Sequence, residues 1–433
     1  VFINRRNFLA GALTAGAAAI SASCGSEREE EKALPPPVIP VSSQPGEWNA
    51  VREQFNLSPD FIHLSALLIA SHPKPVSEAI ERHRRELDQN PVIYLNEEIN
   101  ERENQVLQAA GEYLGAPSGD IALTDSTTMG LGLVYNGIRI NAGQEFLTTE
   151  QNYYSTDEAI RLKAEKSGAQ FRRVPLYSDI QTISEDEIVG NIINSVSPAT
   201  RVVALTWVHS STGLKLPVRQ IADRIEQINS LRAEAEQILL CVDGVHGFGV
   251  ENVEMADLGC DFFIAGCHKW LFGPRGTGII CGSERGWQNV SPTVPTFMDN
   301  SVRDAWVLGN EVTGQTTGRR MSPGGFKAFE HQWAMADAFG FHLEIGKEKI
   351  ATRTHELNRQ MKEEIAAMPH VKLYTPMAEN LSSGIVCFDV EGMSPHAVVN
   401  RLRERRIVAS VTPYASPYVR VAPSIRNSPE EIE

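Results

Sequence analysis

Three short apolar runs within one stretch, Ile238 to Cys281, constrain the fold of this chain more than any other feature. The first, Ile238 to Val242, has strand length and ends at Asp243. The second, Phe262 to Ala265, is followed closely by His268 and Lys269. A Gly-Pro-Arg-Gly-Thr-Gly turn then leads into the third, Ile279 to Cys281. Apolar runs of this length read as strands buried in an α/β sheet. An open sheet of that class places its ligands outside the carboxyl ends of its strands, and that is where Asp243 and Lys269 stand.

An acid at one buried strand end and a lysine just beyond a later one is what pyridoxal 5′-phosphate (PLP) chemistry needs. The lysine forms the internal Schiff base, and the carboxylate keeps the pyridine nitrogen protonated so that the ring can act as an electron sink. Asp243 is followed by glycine and His246 rather than by a helix start, which argues against a mere helix cap. Lys269 has Phe262, Phe263 and Trp270 as neighbours, and a lysine partly desolvated there has the depressed pKa that imine formation requires.

The order Asp-Gly-x-His, His-Lys-Trp, Gly-Pro-x-Gly-x-Gly resembles the class V aminotransferase family of fold-type I PLP enzymes, whose members include cysteine desulfurases. Within it, the chain is most similar to the isopenicillin N epimerase-like branch, and the resemblance runs from about residue 50 to residue 433. It implies a three-layer α/β/α large domain with a mostly parallel seven-stranded sheet over residues 75–315, and a smaller α/β C-terminal domain over 316–433. Residues 46–74 would pass over the active site and join the small domain. It also implies a homodimer with active sites at the subunit interface.

The resemblance assigns roles residue by residue. A strand, Ile121 to Thr124, is followed by Asp125-Ser126-Thr127-Thr128-Met129-Gly130. Hydroxyls at a strand-to-helix turn suit a phosphate, although alone they read as a helix cap; Thr127, Thr128 and the Met129 N–H match the family's phosphate-binding turn. Gln151 takes the position of the residue stacked on the pyridine ring, often a histidine in the family, with Tyr153 and Tyr154 close behind. Ser210, after the strand Arg201 to Thr206, matches the partner of the cofactor's phenolic oxygen, and His246 lies near the same oxygen. His268 matches a phosphate contact. His209 stays outside the catalytic set, because a structural histidine fits equally well. Arg420 matches the family's arginine strand and is expected to grip the substrate α-carboxylate through its bidentate fork. The Gly, Pro and Thr-rich stretch 286–325 matches a region that crosses to the partner subunit, with Thr316, Thr317 and Arg319 contributing to its phosphate site.

In such a site PLP labilises the Cα–H bond and Lys269 relays the proton, with Asp243 as the second catalytic group. Cysteine desulfurases need a nucleophilic cysteine between the last helix and the arginine strand; here Arg405 to Tyr418 holds Ser410 and no cysteine. The reading is therefore an aminotransferase or epimerase acting at Cα of an amino acid or small peptide. A PLP-dependent C–S or β-lyase is the alternative among enzymes. A catalytically degenerate binding protein is the alternative outside them, kept open by the change at Gln151. The six cysteines show no metal-ligand spacing and no metal is expected, while a net charge of −14 disfavours nucleic acid and anionic membrane surfaces as partners.

The N-terminus reads as an address. Arg5-Arg6 followed by Phe8-Leu9, with an Ala/Gly-rich stretch to Ile20 too short to span a bilayer, resembles a twin-arginine signal. Residues 1–25 are the expected export signal, with Cys24 a candidate lipid acceptor, and the proline-rich 26–45 a linker. An exported, periplasmic or cell-envelope location follows, with membrane contact only through the signal or a lipid anchor. Helices are expected over Pro75–Leu87, Glu97–Leu114, Val218–Ala235, Phe326–Leu343, Lys347–Met368 and Pro395–Glu404. The sequence stops at Glu433 inside a helical pattern, so the C-terminal domain is expected to be truncated.

Overall fold

In the computed structural model, residues 45–433 are described. The export signal, Cys24 and all of the linker but Pro45 lie outside the described residues. Seven strands form the main sheet: β2 (Ile121–Thr124), β3 (Glu145–Thr149), β4 (Gln170–Val174), β5 (Thr200–Thr206), β6 (Leu239–Asp243), β7 (Phe262–Gly266) and β8 (Gly278–Gly282). Their order is β2-β8-β7-β6-β5-β3-β4, and β8 alone runs antiparallel to its neighbours. This is the fold-type I architecture expected from the sequence.

The apolar runs are continuous because both faces of the sheet are covered. Val203, Leu205, Leu240, Val242, Phe263 and Ala265 enter one core. The alternate residues Val202, Ala204, Leu239, Cys241, Phe262 and Ile264 enter the other. A period of two thus sends every second side chain to an opposite layer of helices. A second sheet, antiparallel, is built from β9 (Val371–Leu373), β10 (Val386–Val390), β12 (Ser410–Val411) and β13 (Val419–Val421) in the order β12-β13-β10-β9. A short parallel pair joins β1 (Ile62–His63) to β11 (Ile407–Val408), so the N-terminal segment is bonded to the C-terminal one.

Several helices differ from their expected bounds for local reasons. The helix expected from Glu97 begins at Pro91, where the ring occupies the first turn and needs no amide partner. The helix from Val218 stops at Asn229, whose amide group bonds both the N–H (2.7 Å) and the C=O (3.0 Å) of Ile238 at the start of β6. The long helix expected over Phe326–Leu343 is two, Phe329–Trp333 and Met335–Ile345, with a turn at Ala334. That turn lets Trp333 pack edge-on to His83 while Phe339 packs against Tyr113 and Phe248. Among the described residues no helix is long and apolar enough to cross a membrane.

Glu251, on the segment after β6, ties the two sheets' surroundings together. It accepts from Lys215 Nζ (3.0 Å), Ser383 Oγ (2.5 Å) and His355 Nε2 (3.0 Å). Burial pushes its pKa up, but the bonds from His355, Lys215 and Ser383 outweigh that and hold it at about 2. A depressed carboxyl contributes stability that is complete above its ordinary value of 4.5 and is lost as pH falls toward 2. That difference corresponds to about 3 kcal/mol. Glu251→Gln is expected to lower the unfolding free energy by about that amount at neutral pH in urea titrations. The gap from the parent protein should close as pH is lowered from 4.5 toward 2.

Candidate active site

The carboxyl ends of β5, β6 and β7 open into one cavity of about 220 Å³. Its wall is made by the first turn of the helix Thr127–Gly137 on one side and by Arg420 of β13 on the other, with Leu67 and Leu68 of the N-terminal segment above. Of the residues singled out from the sequence, Thr127, Thr128, Ser210, Asp243, His246, His268, Lys269 and Arg420 all line it.

Asp243 is the last residue of β6 and is 2% exposed. Its Oδ1 accepts the Val245 N–H at 3.2 Å. Burial raises its pKa to about 6, against the opposing pull of the Val245 N–H and Lys269. Lys269 follows β7 at the same edge of the sheet. Burial lowers its pKa, Asp243 opposes that and Arg420 adds to it, and the balance is about 8. Lys269 Nζ lies 3.4 Å from His246 Nε2, and the Trp270 indole N–H donates to His246 Nδ1 at 3.4 Å. An indole only donates, so Nδ1 is the acceptor, and a neutral imidazole then carries its proton on Nε2, facing the lysine. Burial, with Lys269 and Arg420 adding to it, pushes His246 well below its ordinary pKa and keeps it neutral.

At the opposite end, Ser126 caps the helix by accepting the Met129 N–H (3.1 Å), and Thr127 Oγ1 accepts the Gly266 N–H (2.8 Å). A side chain at Gly266 would lie 3.0 Å from both His268 Cε1 and Thr127 Oγ1, so the glycine leaves a concave cradle at a helix N-terminus. Burial first, then Lys269 and Arg275, lowers the His268 pKa to about 4. Thr206, the last residue of β5 and the register partner of Asp243, puts into the cavity wall a buried hydroxyl that has no partner among the described residues. An anion-binding cradle, a buried carboxylate and an amine with a lowered pKa in one cavity fit the phosphate, ring nitrogen and aldehyde of PLP.

Arg420 is held from behind. Its Nε donates to Ser410 Oγ (3.1 Å) and its Nη1 to the Ser210 carbonyl (2.9 Å). The Nε edge of the fork is therefore taken, and a carboxylate would meet the end-on Nη1–Nη2 edge. Ser210 Oγ is itself paired with the Tyr414 hydroxyl at 2.8 Å.

Other assignments move. Gln151 does not line the cavity: its Oε1 accepts the Leu176 N–H (3.2 Å) beyond the end of β4, which draws the side chain toward the sheet edge. Tyr153 lines the cavity instead, in edge contact with Tyr154 and Tyr414. The Met129 N–H is engaged by Ser126 and its side chain is exposed. Thr316, Thr317 and Arg319, expected to serve the partner subunit's phosphate site, do not line this cavity: Thr316 donates to the Val290 carbonyl, Thr317 caps the helix Gly318–Met321, and Arg319 bonds Asn104. Reasoning from sequence missed Thr206 and Ser410. Thr206 could have been found by aligning the ends of adjacent strands; Ser410 had no local signal, since its role depends on pairing with β13.

Comparisons with known proteins point to the same fold and cofactor. The family model of class-V aminotransferases matches residues 70–421. The isopenicillin N epimerase of Streptomyces clavuligerus is 26% identical over 395 residues, covering 89% of this chain and 96% of that protein. A probable cysteine desulfurase of Halalkalibacterium halodurans is 23% identical over 357 residues, covering 81% and 82%. Among solved structures, a lysine-to-alanine mutant of C-DES with glycine covalently linked to its PLP cofactor superposes with a TM-score of 0.79 at 21% identity, covering 88% of this chain and 96% of that one. A family match across that much of the sequence decides membership: the chain belongs to the class V aminotransferase family, enzymes of the fold-type I scaffold that work with PLP.

Proposed function

We propose that this protein acts at Cα of an amino acid or small peptide as an aminotransferase or epimerase, that it does so outside the cytoplasm, and that it works as a homodimer. The observation that carries the reading is the convergence of Lys269, Asp243 and Arg420 on one cavity. PLP, when bound, supplies the electron sink that makes a Cα–H bond acidic. Arg420 would orient the substrate by its carboxylate through the end-on edge. Lys269, with a lowered pKa and a neutral His246 beside it, is suited to take the Cα proton and return it. Asp243 keeps a negative charge buried at the ring-nitrogen end, and Leu67 and Leu68 limit water at the mouth.

The thiol chemistry supports this choice over desulfuration. Five cysteines are described, all buried, and burial raises every one of them: Cys267, Cys281 and Cys387 to about 12, Cys241 and Cys260 well above the ordinary value. None is a nucleophilic thiolate. Exposed apolar side chains, Trp306 and Leu308 on the helix Asn300–Leu308 with Phe297 before it and Phe326 after it, support association with a second copy. The twin-arginine-like sequence supports export of the folded, cofactor-loaded enzyme.

A spectral titration of the PLP-loaded protein with L- and D-amino acids in deuterated water tests the reaction. Cα–H exchange with loss of chirality supports an epimerase, and conversion of the cofactor to pyridoxamine phosphate supports an aminotransferase. Release of pyruvate or sulfide would instead establish the lyase alternative, and silence across the panel the degenerate binding protein.

Lys269 also sets a pH dependence. An amine with a pKa of about 8 rather than 10.5 has roughly 300 times more neutral form at pH 7. Capture of PLP by cofactor-stripped protein is expected to accelerate about tenfold per pH unit up to about 8 and then level off. Stopped-flow absorbance measures this directly; acceleration continuing to pH 10 would contradict the lowered pKa.

A further inference from the structure

We propose a second ligand site, for a small organic carboxylate with an apolar body, in the cavity between the first helix and the C-terminal turn. This cavity, about 420 Å³, lies between the helix Pro45–Arg52 with the segment that follows it and residues Arg426 to Glu431. It shares no lining residue with the cavity around Lys269.

Arg426 carries the argument. It is 6% exposed, yet among the described residues no carboxylate lies in ion-pair range of its guanidinium. Its Nε donates to Ser424 Oγ (3.3 Å), and the rings of Phe55 and Phe272 lie 5.8 and 5.6 Å from its guanidinium carbon. No other described side chain bonds its terminal nitrogens. Glu431, the acid that acts on it most, is already engaged: it pairs with Arg52 (2.8 Å) and accepts from Asn427 Nδ2 and the Ser428 N–H (both 3.1 Å). A buried guanidinium without a counter-ion is costly, and a ligand carboxylate matching its planar fork removes that cost. His63 Nε2, buried without a hydrogen-bond partner among the described residues, belongs to a residue of the same lining.

The walls define the rest of the ligand. Phe55, Leu57 and Phe61 supply apolar surface beside the charge, which suits an organic body rather than a bare inorganic ion. Glu53 and Glu431 also line the cavity, and their charges oppose a phosphate dianion more than a monoanionic carboxylate. Phe272 links the site to the segment of Lys269: its ring faces Arg426, and its backbone holds a left-handed φ of 55° three residues after Lys269.

Isothermal titration of the PLP-loaded protein with phenylacetate tests the assignment. Arg420→Ala is used as the parent, so that the first cavity does not compete for the carboxylate. One phenylacetate site is expected in that parent, weakened about tenfold or more by adding Arg426→Met. Adding Ser58→Trp at the exposed rim should weaken it similarly by filling the space without touching the buried packing, so a folding defect in the Arg426 variant cannot imitate the result. Absence of binding in the parent, or unchanged binding in both double variants, would overturn the site. Inorganic phosphate binding as tightly as phenylacetate would overturn the apolar-body assignment. Neither outcome bears on Lys269, so the class V reading stands or falls separately.

Discussion

Lys269→Ala is expected to abolish turnover, a loss of about 10⁴-fold or more, and to remove the only covalent anchor for PLP. Lys269 is the one lysine that lines the cavity among the described residues, so no second amine is placed to replace it. The two roles proposed for it, attachment and proton relay, would both depend on Nζ, which sits 3.4 Å from His246 Nε2 at the end of the sheet. Alanine removes that atom while leaving Asp243, Arg420 and the Thr127 cradle where they are. Borohydride reduction followed by peptide mass mapping checks the anchor: the parent should carry a reduced pyridoxyl group on the Lys269 peptide, and the variant none. A label on another lysine of the parent would sink the role assigned here.

Asp243→Asn is the second large effect, about a thousandfold in turnover. Asparagine has nearly the same shape, and its Oδ1 can still accept the Val245 N–H that aspartate accepts at 3.2 Å, so the local fold should persist. What would disappear is the buried charge proposed to face the ring nitrogen of bound PLP. That loss has a companion effect on the amine. Asp243 raises the Lys269 pKa, whereas burial and Arg420 lower it. Removing the carboxylate should therefore shift the midpoint of PLP capture below about 8. Steady-state kinetics and the pH profile of capture report the two effects independently; a kinetic loss without the shift would mean that the carboxylate does not act on Lys269.

The fold was legible because its strongest signals are local. Continuous apolar runs such as Val202–Leu205 demand cover on both faces, and the strand ends then place Asp243 beside the loop of Lys269. What could not be read depends on contacts between distant segments. Gln151 stands where a ring is expected, but a free amide beyond β4 claims its side chain and leaves the cavity to Tyr153. Arg420 was expected to offer a whole fork, yet Ser410 and the Ser210 carbonyl, brought close by sheet pairing and packing, occupy part of it. The helix ends at Asn229 and the turn at Ala334 were hidden for the same reason: periodicity continues past both, and only the partners at Ile238 and His83 explain the breaks.

The pairing of β1 with β11 sets an order of events during synthesis. Strand β1 leaves the ribosome well before its partner β11, whose residues Ile407 and Val408 come far later in the sequence, so this pair cannot form until β11 has emerged. Leu67 and Leu68 follow β1 directly and form the upper wall over Lys269. The Lys269 pocket can thus be shaped by the main sheet while its roof is still missing, leaving a period in which a bulky cofactor can arrive from above. The β1–β11 pair is therefore expected to form after the strands of the main sheet are already made, and with it the Leu67 and Leu68 side of the pocket.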